Sequence, residues 1–209
     1  APAHDEVAGD NVMTTILGPH GLTHESLKSE ASNWHDRLTT PDAKGKCVGV
    51  LIGGPNKFYD FDQSEMQKLA ENLLLLAQQG HRLLISLSSR SLQDYADILR
   101  QTLAGHDYYL WHGTGDNPYK AILGLADQLI VTGDSVNMVG EACFAGVPVQ
   151  VYFLRGHSRR FNRFYEQLLT QDYVKPFEGK LESWPYEPRN VTPEIVAKIL
   201  DAYHLHQNK

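Results

Sequence analysis

From Cys47 onward the chain alternates short, wholly apolar runs with stretches of helical periodicity, and this alternation limits the fold more than any other feature. Cys47–Ile52 is a continuous apolar run, as expected of a strand buried on both faces. Residues 62–79 then carry Met66, Leu69, Ala70, Leu73, Leu74 and Ala77 at helical spacing, with Gly80 as the stop. Arg82–Leu87 predicts a second strand, and 91–103 a helix with Tyr95, Ile98, Leu99 and Leu103 inward. Tyr108–Trp111, 128–131 and 147–153 predict three more strands, with helices over 117–125 and 135–145 between them. Such alternation requires crossover connections, so the sheet must be parallel and covered on both faces. The expected fold class is α/β, a doubly wound parallel sheet, in which ligands bind beyond the carboxyl ends of the strands.

Residues 1–44 read differently. They hold a strand candidate, Val12-Met13-Thr14-Thr15-Ile16, a Gly18-Pro19-His20-Gly21 turn and a polar helix over 23–38, before Pro41 and Gly45 break the chain. The expected organisation is the tail of an N-terminal domain and a linker over 1–44, followed by a ligand-binding domain over 45–209. The missing initiating Met is taken to mean a processed or truncated chain. A basic stretch, Arg155-Gly156-His157-Ser158-Arg159-Arg160, follows the fifth strand and precedes a helix over 161–169; a last helix begins near Thr192.

The totals exclude several classes. With 19 basic and 25 acidic residues the net charge is −6, which argues against nucleic-acid binding. No apolar run approaches the ~20 residues of a membrane span, which leaves peripheral association as the one membrane role to expect. The two cysteines, Cys47 and Cys143, are far apart in apolar contexts and read as reduced core thiols of a cytoplasmic protein. No metal site and no cofactor are expected.

Four loops should converge on the ligand edge. The segment Thr132-Gly133-Asp134-Ser135 leaves a strand and opens a helix, so its backbone N–H groups and helix N-terminus suit an anion. Ser135, Met138 and Glu141 share one helical face, where a carboxylate two turns in can accept hydrogen bonds from a ribose diol. Gly53-Gly54-Pro55-Asn56-Lys57 lets backbone approach a ligand and adds a positive charge; it is equally a tight strand-to-helix turn. Ser88-Ser89-Arg90-Ser91 suits phosphate, or is an N-cap beside a solvated arginine. In the fourth loop Asn117 caps a short helix, and Tyr119 stacks on a base or covers the sheet. Arg159 and Arg160 are candidates for an anionic ligand or acceptor, or simply a solvated basic loop. His20, in a glycine-flanked turn after a strand, is kept as a catalytic candidate.

The usual signatures of other enzymes are missing. No G-x-G-x-x-G follows a strand, and neither a G-x-x-x-x-G-K-[ST] P-loop nor a G-x-S-x-G elbow occurs. No Tyr-x-x-x-Lys pair occurs either, which argues against an NAD-dependent epimerase.

Taken together, Val50-Leu51-Ile52-Gly53-Gly54-Pro55-Asn56-Lys57, Ser89-Arg90, Gly113-Thr114-Gly115-Asp116-Asn117-Pro118-Tyr119, Ala126-Asp127, Val131-Thr132-Gly133-Asp134-Ser135-Val136, Met138, Glu141-Ala142, Gly146-Val147-Pro148-Val149 and Ser158-Arg159-Arg160-Phe161 resemble the mitochondrial fission family of elongated-mitochondria type, whose bacterial members are regarded as glycosyltransferases. The stretch from His4-Asp5 through Gly9-Asp10-Asn11-Val12 to Gly18 is similar to the tail of that family's N-terminal domain. The resemblance implies a two-domain GT-B architecture, with this chain mainly its Rossmann-like C-terminal half. Residues 127–148 are also similar to the donor-binding segment of the transferase that adds N-acetylglucosamine to make lipid II; by that likeness Glu141 takes the donor ribose and Ser135 the diphosphate. A metal-independent reaction is implied, with helix N-termini and basic side chains stabilising the leaving diphosphate. Two departures stand out: Ser88-Ser89-Arg90-Ser91 replaces Ser-Arg-Arg-Thr, and Pro188-Arg189-Asn190-Val191-Thr192 has Arg where Leu is common.

Two functions follow as expectations. One is transfer of sugar from a nucleoside-diphosphate donor, UDP-like, to an unknown acceptor; this chain would bind the donor but lack a base from the missing N-terminal domain. The donor residues would be Gly53, Gly54, Asn56, Lys57, Ser89, Arg90, Asn117, Tyr119, Thr132, Asp134, Ser135, Met138 and Glu141. The other is a non-catalytic adaptor that recruits a protein partner, as the family's plant members do with a dynamin-like GTPase.

Overall fold

The structure is a computed structural model that describes residues 7–9, 12–40, 44–185, 187–188 and 190–207, with side chains to 204. The expectations placed on His4-Asp5, Asp10-Asn11, Pro41 and Arg189 lie outside the described residues.

Six strands form one parallel sheet: β1 (Cys47–Ile52), β3 (Arg82–Leu87), β4 (Tyr108–Trp111), β5 (Gln128–Thr132), β6 (Val149–Tyr152) and β8 (Lys175–Pro176). Their order is β4-β3-β1-β5-β6-β8. Numbered among themselves along the chain, these six run 3-2-1-4-5-6, the order of a Rossmann sheet. The winding reverses between β1 and β5, which pair with Val50 opposite Ile130 and Leu51 opposite Val131. Two further strands, β2 (Tyr59–Asp60) and β7 (Arg155–Gly156), form a separate antiparallel ladder.

Helices cover both faces. Alternate strand residues point to opposite sides, so Leu51, Leu84, Leu129 and Val131 enter one core and Val48, Val50, Ile52, Leu83, Ile85 and Ile130 the other. The first core is closed by α1 (His24–Leu38), α4 (Tyr119–Leu125), α5 (Val136–Phe144) and α6 (Arg159–Thr170); the second by α2 (Gln63–Gln78) and α3 (Tyr95–Thr102). A last helix, α7 (Thr192–Gln207), begins beside the first core, where Val191 is buried. Helix α1 lies close on α4: a side chain at Gly124 would run into the Leu27 carbonyl. The start of α1 follows from Thr23 and Ser26, which cap each other's backbone N–H groups. Asp62 caps α2 by accepting from Glu65 N at 2.9 Å, and Gly80, with φ +84°, stops the chain just beyond it.

The α/β expectation holds, with local corrections. Among the described residues, 12–16 make no strand, only a bridge at Thr15 that does not extend into a ladder. Helix α3 starts at Tyr95 rather than 91. The basic stretch after β6 is not a loop throughout: Arg155 and Gly156 are β7, and Arg159 and Arg160 are the first turn of α6, capped by Ser158. Among the described residues no helix is long and apolar enough to cross a membrane. Neither Cys47 nor Cys143 is in a disulfide, and burial is the main cause that pushes the pKa of both thiols up to about 12.

Candidate functional site

The carboxyl ends of β1 and β5 lie side by side at the reversal point, and their two turns are tied together by Asp134. Its side chain is fully buried. Oδ2 accepts Gly54 N–H at 3.1 Å and Arg90 Nη2 at 2.7 Å; Oδ1 accepts the Thr132 hydroxyl at 2.6 Å. Thr132 Oγ1 in turn accepts Gly53 N–H at 2.8 Å. Glycine is required at both turn positions: a Cβ at Gly53 would overlap the Asp134 carboxylate, and one at Gly54 the Arg90 carbonyl. Asn56 completes the clasp. Its Nδ2 donates to the Asp134 carbonyl at 3.1 Å while Oδ1 accepts from Phe58 N at 2.8 Å and Tyr59 N at 3.1 Å. Thr132, Asp134 and Asn56 therefore spend their polar atoms shaping the turns rather than presenting them to a ligand.

Beside this clasp is a cavity of about 370 Å³, within the ordinary range for a small-molecule site. Lys57, Phe58, Arg90, Ser135, Asn137 and Phe161 line it. Ser135 caps α5 by accepting from Met138 N at 3.4 Å. Val136 and Asn137, the first two helical residues, have N–H groups without an intrahelical acceptor, so the positive end of α5 faces the cavity. Lys57 is exposed, with Nζ 4.7 Å from the centre of the Phe58 ring. Arg90, expected to be solvated or on phosphate, is held by Asp134 and leaves 41% of its side chain exposed. The serine turn before it does not open a helix. Ser91 Oγ donates to Gly53 O at 2.7 Å, and the chain turns helical only at Tyr95.

A second cavity of about 90 Å³ lies across the first turn of α5 and shares Val136 and Asn137 with the first. Glu141 and His20 line it with Gly18, Pro19 and Gly140. Tyr119, expected to stack on a base or to cover the sheet, donates its hydroxyl to Glu141 Oε2 at 2.5 Å. Burial, then the Glu141 charge, raises the Tyr119 phenol far above its ordinary value, so it remains a donor. His20 does not suit a general base: Nδ1 already accepts Leu22 N–H at 3.3 Å, leaving no lone pair for a substrate proton, and burial lowers the pKa of its ring.

The turns thus gather Lys57, Arg90 and Ser135 at one cavity, and His20 and Glu141 at its neighbour. Ser89, Asn117, Arg159 and Arg160 line neither. Asn117 Oδ1 accepts Tyr119 N–H at 3.0 Å, a local cap, and Met138 is half-buried against the first core. The sequence reading missed Phe58 and Phe161, the aromatic wall, whose rings lie 5.6 Å apart. It also overlooked Asp60-Phe61-Asp62, an Asp-x-Asp word. Asp62 caps α2 and pairs with Arg155 Nη2 at 3.0 Å, and among the described residues no three His, Cys, Asp or Glu side chains gather as a metal site.

A Rossmann-type sheet, with a glycine turn and a helix N-terminus meeting at its reversal point, defines an α/β protein with a switch-point cavity. Residues 1–203 match the family model described as Mitochondrial fission ELM1, and the chain belongs to that family. It is 29% identical over 194 residues to the mitochondrial fission protein ELM1 of Arabidopsis thaliana, a match covering 91% of this chain and 45% of that protein. It is 29% identical over 206 residues to the uncharacterized protein RP120 of Rickettsia prowazekii (strain Madrid E), covering 94% and 58%. The chain thus spans about half the length of the curated relatives it matches. Among solved structures, a UDP-GlcNAc 2-epimerase from Neisseria meningitidis bound to UDP-GlcNAc is 15% identical, with a TM-score of 0.46, over 85% of this chain and 44% of that one. WaaG, a glycosyltransferase involved in lipopolysaccharide biosynthesis, is 13% identical, with a TM-score of 0.43, over 76% and 47%.

Proposed function

We propose that this chain is the donor-binding half of a metal-independent glycosyltransferase of GT-B architecture, and that it holds a UDP-like nucleoside-diphosphate sugar whose sugar passes to an acceptor bound elsewhere. In this reading residues 1–44 are the tail of an N-terminal domain and its linker, and 45–209 the donor domain. The observation that carries the reading is the 370 Å³ cavity at the β1/β5 reversal, where the N-terminus of α5, Lys57 and Arg90 supply positive potential for a diphosphate. As the sugar departs, charge grows on the diphosphate, and those groups stabilise it without moving. Arg90 acts there through its exposed edge, with Asp134 fixing its plane. Glu141 takes the ribose. Isothermal titration with UDP-, GDP- and TDP-sugars tests the proposal. Heat with a UDP-sugar that is lost in Glu141→Ala and reduced in Lys57→Ala supports it; no heat with any of the three removes it.

One observation favours an adaptor instead. Arg90 and Glu141, the two groups the donor most needs, are already engaged by Asp134 and Tyr119. An adaptor would keep the sheet and use its surface to recruit a protein partner. Glu141→Ala separates the readings in cells: function that survives the change assigns the work to a surface, and function lost with donor binding assigns it to the cavity.

A further inference from the structure

We infer that Phe58, backed by Phe161, is the platform on which the transferred sugar lies, a pyranose stacked by its C–H face on the aromatic ring. This rests on the donor-site reading and adds to it where the sugar goes and which side chain selects it.

The two phenylalanines come from elements far apart in the chain. Phe58 follows Asn56-Lys57 just beyond the glycine turn, and Phe161 sits in the first turn of α6, where its N–H donates to Ser158 Oγ at 3.4 Å. Their rings lie 5.6 Å apart, tilted by 60°, and Phe161 stacks on Tyr59 at 5.7 Å and 22°. Phe161 is half-buried, whereas Phe58 is 36% exposed. An exposed aromatic is not informative by itself. This one is fixed through both polar groups of its backbone: the N–H donates to Asn56 Oδ1 at 2.8 Å, and the carbonyl accepts His157 N–H at 3.1 Å. A side chain at position 156 would collide with that carbonyl, and the residue there is glycine. The chain thus holds still a ring that it does not bury, at the wall of the 370 Å³ cavity. A ring already in place loses little freedom when a ligand settles on it.

The positions of the two cavities decide which part of the donor meets that ring. Both border the first turn of α5 and share Val136 and Asn137. Glu141 lines the smaller cavity; Phe58 and Phe161 line the larger. With the ribose on Glu141 and the diphosphate at the helix N-terminus, as proposed above, the nucleoside occupies one side of that turn. The group bonded to the far phosphate, the sugar, then falls on the other side, beside the rings. A nucleobase would reach them only if the ligand were reversed, which takes the ribose away from Glu141. The chemistry agrees with this order. The face of an aromatic ring is electron-rich, and the C–H bonds along one face of a pyranose are weakly positive, while its hydroxyl groups point outward around the rim. Lys57, with Nζ 4.7 Å from the centre of the Phe58 ring, brings three N–H donors to the same wall, where a rim hydroxyl needs them.

Calorimetric titration of the full chain with UDP, UDP-glucose, UDP-galactose and UDP-GlcNAc tests this. Wild type is expected to bind at least one of the three sugars more tightly than UDP, by on the order of 3- to 10-fold, the worth of one stacking contact. Phe58→Leu, which keeps an apolar side chain but removes the aromatic face, should bring that ratio close to one and leave UDP binding unchanged. Phe58→Tyr should retain the ratio. Thermal unfolding of the same variants separates folding from recognition, since a merely structural phenylalanine would lower Tm and leave the ratio alone. UDP weakened in Phe58→Leu as much as the UDP-sugar would put the base on the ring. That result, a ratio unchanged in Phe58→Leu, or a wild type that binds UDP as tightly as every UDP-sugar overturns the inference while the donor site stands. If wild type binds neither UDP nor any of the UDP-sugars, the donor reading falls and this inference falls with it.

Discussion

Asp134 is the residue on which the reversal-point turns depend. It is buried in full, yet each oxygen has a donor: Gly54 N–H and Arg90 on one, Thr132 on the other. Removing it strands a backbone N–H, a hydroxyl and a guanidinium together. Asp134→Ala is expected to lower stability by on the order of 3 kcal/mol, read as a shift of the urea midpoint at constant m. Arg90→Ala should cost less, because solvent already screens the exposed part of that side chain. The double variant should fall short of the sum, since both changes break one pair. Additive losses would mean that Asp134 works without Arg90. The sequence disclosed Asp134 and Arg90 as polar groups near a strand end, but not that they face each other. They are 44 positions apart, and only the register of β1, β3 and β5 brings them together.

At the scale of elements, the long buried strands were legible and the short ladders were not. A strand covered on both faces must be largely apolar, so β1 and β3 are found at their expected bounds, as is the half-buried edge strand β4. β2, β7 and β8 are two residues each, too short for any periodicity, and β8 contains a proline, which a sheet edge accommodates. The ladder of β2 and β7 nonetheless positions the cavity wall, because it ties the Phe58 turn to the approach of α6. Gly156 makes it possible. Its φ is +143°, and a Cβ there would strike the Phe58 carbonyl, which accepts His157 N–H at 3.1 Å. Gly156→Ala is expected to open this ladder locally while the main sheet stays closed. Amide exchange should show His157 losing protection by about tenfold or more, with β1 and β5 unchanged. Loss of protection throughout the sheet would show that the small ladder supports the whole fold. The shortened α3 has a comparable cause, as Ser91 spends its hydroxyl on the Gly53 carbonyl of a neighbouring turn, a partner invisible to local propensity.

Across the whole molecule, two half-buried histidines couple stability to pH in the same direction. Burial lowers the pKa of His20, with the Glu141 charge opposing it more weakly. Burial also lowers that of His81, reinforced by the charge of Lys46, whose backbone N–H donates to His81 Nδ1 at 2.9 Å. Both rings are thus neutral in the folded chain at a pH where the unfolded chain, titrating near 6.5, takes up protons. When the unfolded state binds more protons, stability falls as pH falls. The folded chain is therefore expected to hold a plateau above about pH 7 and to weaken progressively from about 6.5 downward, where its histidines start to differ from those of the unfolded chain. Asp62, held below its ordinary value first by the Glu65 backbone N–H and also by Arg155, adds a loss of the same sign only below about pH 4. Urea midpoints taken between pH 8 and 5 check this. His81→Gln should flatten the decline without touching either cavity, since Gln keeps an acceptor for Lys46 N–H and has no proton to gain. His20→Gln should flatten it further. A stability that rises on acidification would mean that these rings take up protons more readily in the folded chain than in the unfolded one, and a decline unaltered by both substitutions would mean that they titrate alike in the two states.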